Sequence, residues 1–308
     1  MPKYLLMKSQ PFNLYIMKIS LKSSFLFLIL FCCFFTTVKG QQKKITDYQN
    51  YPEEKLGWHL GTQAYSFRLF TFHDALLKTD SANLKFIESY PGQPIGGGIE
   101  GKMDYTMSPE KREEVLKLLK EQGITLYAYG VVKADSEESW RQLFEFAKAM
   151  GIKNINSEPN REDLPLVGQL ANEFKIKVSI HNHPEPSIYW SPDSVLQAIQ
   201  TANSKYVGAC ADIGHWIRSG LDPVESLKKL EGYVYHLHFK DLGAKDRKAT
   251  DVHWGTGVAN VPELLNELKR QKFKGMFSAE YEINWEHNTP DITASVQNFR
   301  DILRSSKR

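Results

Sequence analysis

After Gly57 the chain repeats one theme: a short apolar, β-branched or aromatic run, a longer stretch of helical period, then the next run. The runs fall at 58–63, 85–90, 125–131, 154–158, 177–183, 206–212, 234–240 and 276–282 and predict eight strands. Stretches at 109–122, 136–150, 161–174, 192–202, 223–230 and 261–272 carry apolar residues at i, i+3 and i+4, as in Val115, Leu118 and Leu119, and predict helices. Start signals precede several of them: Ser108 before Pro109, Ser191 before Pro192 and Asp222 before Pro223. Strands that alternate with helices pair in parallel through right-handed crossovers, and eight such units in about 250 residues make a single α/β domain, a (β/α)8 or TIM barrel. A doubly wound open sheet is the rival, but it wants fewer strands or a dinucleotide fingerprint. The piece Gly96-Gly-Gly-Ile-Glu-Gly101 does not supply one: it follows Pro91 and Pro94 and opens no helix, so it reads as a plain loop.

Ahead of this pattern, Lys18 and Lys22 precede the apolar run from Phe25 to Phe35, and Val38-Lys-Gly40 offers a cleavage position before Gln41. That layout predicts a secretory signal within 1–40, too short for the roughly 20 apolar residues that span a bilayer. Met17 suits the start of such a signal better than Met1. A lipid anchor on Cys32 or Cys33 competes with this reading, but Phe31 and Cys32 are not the small residues such an anchor wants. The expectation is an exported protein, periplasmic or secreted, with one domain over 41–308 and no stable membrane insertion. Cys210 is then the one cysteine left, so no internal disulfide forms and stability must come from an apolar core. A formal charge of +3 with no basic run interleaved with aromatics gives no reason to expect a nucleic-acid partner. Whether copies of the chain associate stays open.

In a barrel of this kind reactive groups gather at the C-terminal ends of the strands. The fourth to eighth runs end in Asn156-Ser-Glu158, His181-Asn-His183, Asp212-Ile-Gly-His215, His236-Leu-His238-Phe-Lys240-Asp241 and Glu280-Tyr-Glu282. Alternation puts His181 with His183, His236 with His238 and Lys240, and Glu280 with Glu282 on shared faces. A buried carboxylate such as Asp212 costs several kcal/mol unless water, a proton or a cation compensates it. Taken singly, each residue has an ordinary explanation as a hydrogen-bonded histidine or a solvated acid. Five consecutive strand ends with the same character point instead to a metal centre of mixed oxygen and nitrogen ligands, suited to Mn²⁺, Co²⁺, Mg²⁺ or Zn²⁺. Trp58, Tyr65, Trp216 and Trp254 could face a sugar ring or pack the rim, Arg218 could touch substrate or form a salt bridge, and Cys210 reads as a core filler.

The fragments HNHP (181–184), ADIGHW (211–216), HLHFKD (236–241) and SAEYE (278–282) resemble, in order and spacing, the sugar phosphate isomerase/epimerase family of the xylose isomerase-like TIM-barrel superfamily. The resemblance implies a metal held by Glu158, Asp212, His238 and Glu280, with His236 and Glu282 as the neighbouring alternatives to the last two. It implies one divalent ion, Mn²⁺ first and Co²⁺, Mg²⁺ or Zn²⁺ otherwise. It also implies proton abstraction next to a sugar carbonyl through an enediolate, with Glu158 and Glu280 as the catalytic pair. His215, His183, Lys240 and Trp216 are the expected substrate contacts. Return of the proton isomerises or epimerises, whereas loss of a β-substituent makes the enzyme a lyase or hydratase. Export argues for an unphosphorylated small carbohydrate, such as a 3-keto-glycoside. A metal-dependent hydrolase, apurinic-site endonucleases included, would want a richer ligand cluster and a basic face. A non-catalytic sugar-binding barrel is the remaining rival.

Overall fold

A computed structural model describes residues 47–305, so the signal predicted within 1–40 lies outside the described residues. Eight strands close into a barrel: β1 Trp58–Gln63, β2 Phe86–Ser89, β3 Thr125–Val132, β4 Asn154–Ser157, β5 Lys177–His181, β6 Val207–Asp212, β7 Val234–Phe239 and β8 Gly275–Ala279. Each pairs in parallel with its sequence neighbours, and β1 closes the ring against β8. Helices return the chain over the outside: α1 Phe72–Ser81, α2 Pro109–Gln122, α3 Glu137–Met150, α4 Leu164–Phe174, α5 Pro192–Ala202, α6 Ile213–Arg218, α7 Pro223–Lys229, α8 Val261–Arg270 and α9 Thr289–Ser305. No helix among the described residues is long and apolar enough to cross a membrane.

Three helices escape the periodic reading. α1 starts on a full capping box between Thr71 and Asp74, yet it buries Phe72, Ala75, Leu76 and Thr79, a face too mixed to stand out as apolar. α6 is six residues long and begins on Asp212, whose Oδ1 accepts the His215 N–H at 2.8 Å. α9 buries Ser295 and Arg300 among Ile292, Val296, Phe299 and Leu303, which breaks its stripe. The glycine-rich piece read as a plain loop is an antiparallel hairpin, Pro94–Gly96 against Ile99–Lys102. Gly96 and Gly97 turn it at φ +74° and +62°, and a Cβ on Gly96 would meet Thr71 Oγ1 at 2.4 Å.

The apolar residues divide into two clusters. The larger lies between strands and helices, where α3 alone buries Trp140, Leu143, Phe144, Phe146, Ala147 and Met150; each large side chain removed from water contributes about 1.5–3 kcal/mol. Trp58 and Trp254 belong to it: their rings lie 5.1 Å from Phe277 and 4.9 Å from Phe239, so neither faces the barrel mouth. Inside the barrel a small cluster, Phe86, Tyr127, Ala128 and Met276, makes an apolar plug. The rest of the interior is polar, with Glu88, Asn154, Asn156, Ser179, His236 and Ser278 all buried.

Candidate functional site

Strand register sets the site. Asp212 on β6 is the rung partner of His238 on β7, His181 on β5 is the partner of Cys210 on β6, and Glu280 follows directly on the last residue of β8. Asn182 locks two of these ends together: its Oδ1 accepts the Asp212 N–H at 2.8 Å and its Nδ2 donates to the Asp212 carbonyl at 3.0 Å. Ser66 does the same for Glu280, donating to the Ala279 carbonyl at 3.2 Å and accepting the Tyr281 N–H at 2.9 Å. The four side chains His181, Asp212, His238 and Glu280 each offer a ligand atom, all within 4.8 Å of one another and all buried.

Of the four ligands implied by the resemblance, the structure gathers Asp212, His238 and Glu280 and puts His181, not Glu158, beside them. Glu158 lies one residue past β4, behind the His181 ring. Its Oε1 accepts from His181 Nδ1 at 2.9 Å and from His183 Nδ1, and its Oε2 accepts from Ser187 Oγ at 3.3 Å. The signal for His181 was present in HNHP, since a histidine closing a strand next to Asp212 must share its rim. His236, the alternative to His238, sits deeper, with Nε2 at 2.8 Å from both Glu88 and Ser278. Glu88 itself was not anticipated; its only sequence signal is an acid inside the apolar run Phe86-Ile-Glu-Ser.

Lys240 is fully buried among three carboxylates, with Nζ 2.9 Å from Asp212, 2.7 Å from Glu280 and 3.0 Å from Glu282. Arg218 is spread over the Ala249 carbonyl at 3.2 Å, Glu282 at 3.4 Å and His215 Nδ1 at 3.4 Å. His183 is half exposed and its ring stacks on His215 at 5.2 Å, which places both at the mouth. Trp216 is not there: it has no exposed surface and belongs to the outer apolar core, so the expected substrate contact at this residue is withdrawn.

Burial by itself would push the Asp212 carboxyl up, but the neighbouring imidazoles and the Lys240 ammonium outweigh it and hold the group well below the carboxylate range. Glu280 follows the same balance, its burial outweighed by Lys240 and His238. Burial pushes His215 well below the usual imidazole value, leaving a neutral ring suited to a hydroxyl. Burial pushes the Cys210 thiol up to about 12, so it is no nucleophile.

The donor set passes a test for a metal. His181 Nε2, His238 Nδ1 and Glu280 Oε2 are buried and make no aligned hydrogen bond: Glu280 Oε2 is ion-paired with Lys240 at 2.7 Å and with His238 Nδ1 at 3.0 Å, and His181 Nε2 lies 3.6 Å from Asp212 Oδ2. Three orphaned polar atoms converging beside an ionised Asp212 are costly unless something binds them together. Two imidazoles and two carboxylates suit a divalent ion of the Zn²⁺, Co²⁺ or Mn²⁺ kind.

A closed parallel barrel with its polar centre at the C-terminal strand ends defines the class: a TIM barrel. The chain belongs to the Xylose isomerase-like TIM barrel family, whose profile matches residues 79–302. A solved structure of an uncharacterized protein from Parabacteroides distasonis is 31% identical, with TM-score 0.66, covering 82% of this chain and 100% of that one. A D-tagatose 3-epimerase-like protein shares the fold at 18% identity and TM-score 0.62, over 80% of this chain and 97% of that one. An inosose dehydratase of Bacillus cereus is 24% identical over 162 residues, 48% of each chain. The chain spans about half the length, or less, of the curated relatives it matches.

Proposed function

We propose that the protein is a metal-dependent enzyme that removes a proton next to the carbonyl of an unphosphorylated sugar, with expulsion of the β-substituent as the outcome. The carrying observation is the convergence of the orphaned His181 Nε2, His238 Nδ1 and Glu280 Oε2 beside Asp212. A divalent ion held by these four residues would polarise the carbonyl and stabilise the charge that develops on its oxygen. Replacing the implied Glu158 with His181 makes the set richer in nitrogen, which moves the preferred ion from Mn²⁺ toward Zn²⁺ or Co²⁺.

Glu280 is the carboxylate left to accept the carbon-bound proton, and Lys240 at 2.7 Å holds its charge and position. Glu158 is hydrogen-bonded to His181, His183 and Ser187, which supports a role behind the centre instead of as a second opposed carboxylate, and with it elimination over a two-carboxylate proton exchange. His183, oriented through Nδ1 by Glu158, is the proton donor to the leaving group, as in other imidazole–carboxylate pairs. Neutral His215 contacts a substrate hydroxyl. The relatives named inosose dehydratases support the elimination reading. Isomerase/epimerase chemistry is the second reading, favoured by the exposure of His183, from which a proton could return to carbon. The nearby cations Lys240 and Arg218 are both occupied by carboxylates, which argues against a phosphorylated substrate. Export, predicted from the 1–40 segment, remains part of this proposal.

The test is incubation in D₂O with ketoses and 3-keto-glycosides, read by NMR. Loss of the C1 substituent from a keto-glycoside is expected, with turnover falling about 10²–10⁴-fold in Glu280→Gln. Deuterium gain at carbon without elimination would favour the epimerase reading, and no reaction or exchange on any substrate would leave only a binding protein.

A further inference from the structure

Two histidine rings each span the space between the centre and a carboxylate on the far side. His238 directs Nδ1 toward Glu280 Oε2 at 3.0 Å and Asp212 Oδ2 at 3.9 Å, while its Nε2 lies 3.0 and 3.1 Å from the two oxygens of Glu88. His181 is turned the other way. Its Nε2 lies 3.6 Å from Asp212 Oδ2 and its Nδ1 2.9 Å from Glu158 Oε1. A carboxylate that is ionised can only accept, so the ring nitrogen facing Glu88 or Glu158 carries a hydrogen; the opposite nitrogen faces the centre, and a cation bound among Asp212 and Glu280 takes the place of its proton and meets its lone pair.

We propose that Glu88 and Glu158 are positioning residues that fix opposite tautomers: Nε2–H in His238 and Nδ1–H in His181. His238 then presents Nδ1, and His181 presents Nε2, to one divalent ion shared with Asp212 and Glu280. The inference rests on the metal-centre reading above and assigns how that centre is built.

Both carboxylates are themselves held in place, by separate parts of the barrel. Glu88, on β2, also accepts from Asn156 Nδ2 at 2.7 Å, Ser278 Oγ at 2.7 Å and His236 Nε2 at 2.8 Å. Asn156 is fixed in turn by Asn154 at 2.6 Å, and Asn154 by Ser179 at 2.6 Å, so residues of β2, β4, β5, β7 and β8 join one buried network. This accounts for a carboxylate deep in the barrel, on a strand whose end looked unmarked. Glu158 is fixed from outside by Ser187 and His183, and the next residue's carbonyl accepts from Tyr189 Oη at 2.8 Å. Partners of this kind orient a ligand ring and raise its basicity, and their loss weakens metal binding about 10–100-fold.

The experiment uses the full chain, ¹⁵N-labelled at histidine and loaded with Zn²⁺, with tautomers read from long-range ¹H–¹⁵N correlations. Zn²⁺ affinity and the metal-free thermal midpoint are measured in parallel for Glu158→Gln, Glu158→Ala and Glu88→Gln. Expected are one Zn²⁺ per chain, Nε2–H in His238, Nδ1–H in His181, and Zn²⁺ binding weaker by about 10–100-fold in Glu158→Ala, with Glu158→Gln between it and the wild type. Glu158 lies nearer the rim than Glu88, so its variants are read on folded protein even if Glu88→Gln does not fold; the metal-free midpoint separates any loss of fold stability from loss of Zn²⁺ affinity, and the His238 tautomer is read in the wild type. The same tautomer in both rings, two or more ions per chain, or wild-type affinity in the Glu158 variants would overturn the proposal while the metal centre stands. A wild type that binds no Zn²⁺ would remove the centre and this inference with it.

Discussion

Asp212 is at once the cap of α6, the rung partner of His238 and the ion partner of Lys240, and each use constrains the others. Although burial opposes it, His181 is held above the usual imidazole value by the neighbouring carboxylates Asp212 and Glu158, and His238 well above it by Cys210, Glu88 and Glu280 around it. A cation at this centre must displace the protons that these raised values retain, so its affinity falls as pH drops through them. Calorimetry of Zn²⁺ binding at pH 7 in buffers of different ionisation enthalpy should therefore show proton release, and tighter binding at pH 8 than at pH 6. Asp251 gives an independent pH signature. Burial pushes its carboxyl up to about 6, and its Oδ1 has no hydrogen-bond partner. The folded state thus holds this proton more tightly than the unfolded chain. The stabilisation is complete below the unfolded value of about 4 and is lost as pH rises through 6, a change of about 3 kcal/mol. Asp251→Asn, whose amide oxygen can still accept the Glu282 N–H, should flatten that slope in denaturant titrations at pH 4 to 8.

At the scale of elements, the barrel is closed by contacts far apart in sequence. Arg300 on α9 is buried and reaches Glu53 Oε1 at 2.7 Å, tying the last helix to the short 3-10 turn Pro52–Leu56 ahead of β1. Removing one partner leaves the other charge buried, so Arg300→Met should destabilise the protein by about 3–5 kcal/mol in urea titrations, and adding Glu53→Gln should recover part of the loss. This pair was invisible in the sequence because 247 positions separate its members. The strand–helix alternation was legible, with β1, α2 and α5 at their expected bounds, because it depends on local period alone. The hairpin at 94–102 was not, since its pairing follows from the seat of Gly96 on Thr71.

For the whole molecule, the polar interior trades stability for a site. The buried network from Ser179 to Glu88 replaces side chains that could have packed as an apolar core. An ion at the centre restores part of this by binding the folded state alone. At a thousand times its dissociation constant it should add about 4 kcal/mol, which raises the thermal midpoint of a domain of this size by roughly 10 °C. Scanning calorimetry with added Zn²⁺ or Mn²⁺, and then with chelator, checks this; a midpoint indifferent to both would mean that the orphaned ligand atoms serve no metal.

Sequence alone determined the barrel, because period and crossover handedness are local properties, and it determined that the fourth to eighth strands end in carboxylates and imidazoles. Only the tertiary structure decided which of those side chains meet. Glu158 and His181 both stand at strand ends, and one residue of reach beyond the strand separates a group behind the ring from a group at the centre. Glu88 joined the site for the same reason in reverse: a barrel brings an interior residue of β2 beneath His238, 150 positions away, and no local pattern encodes that meeting.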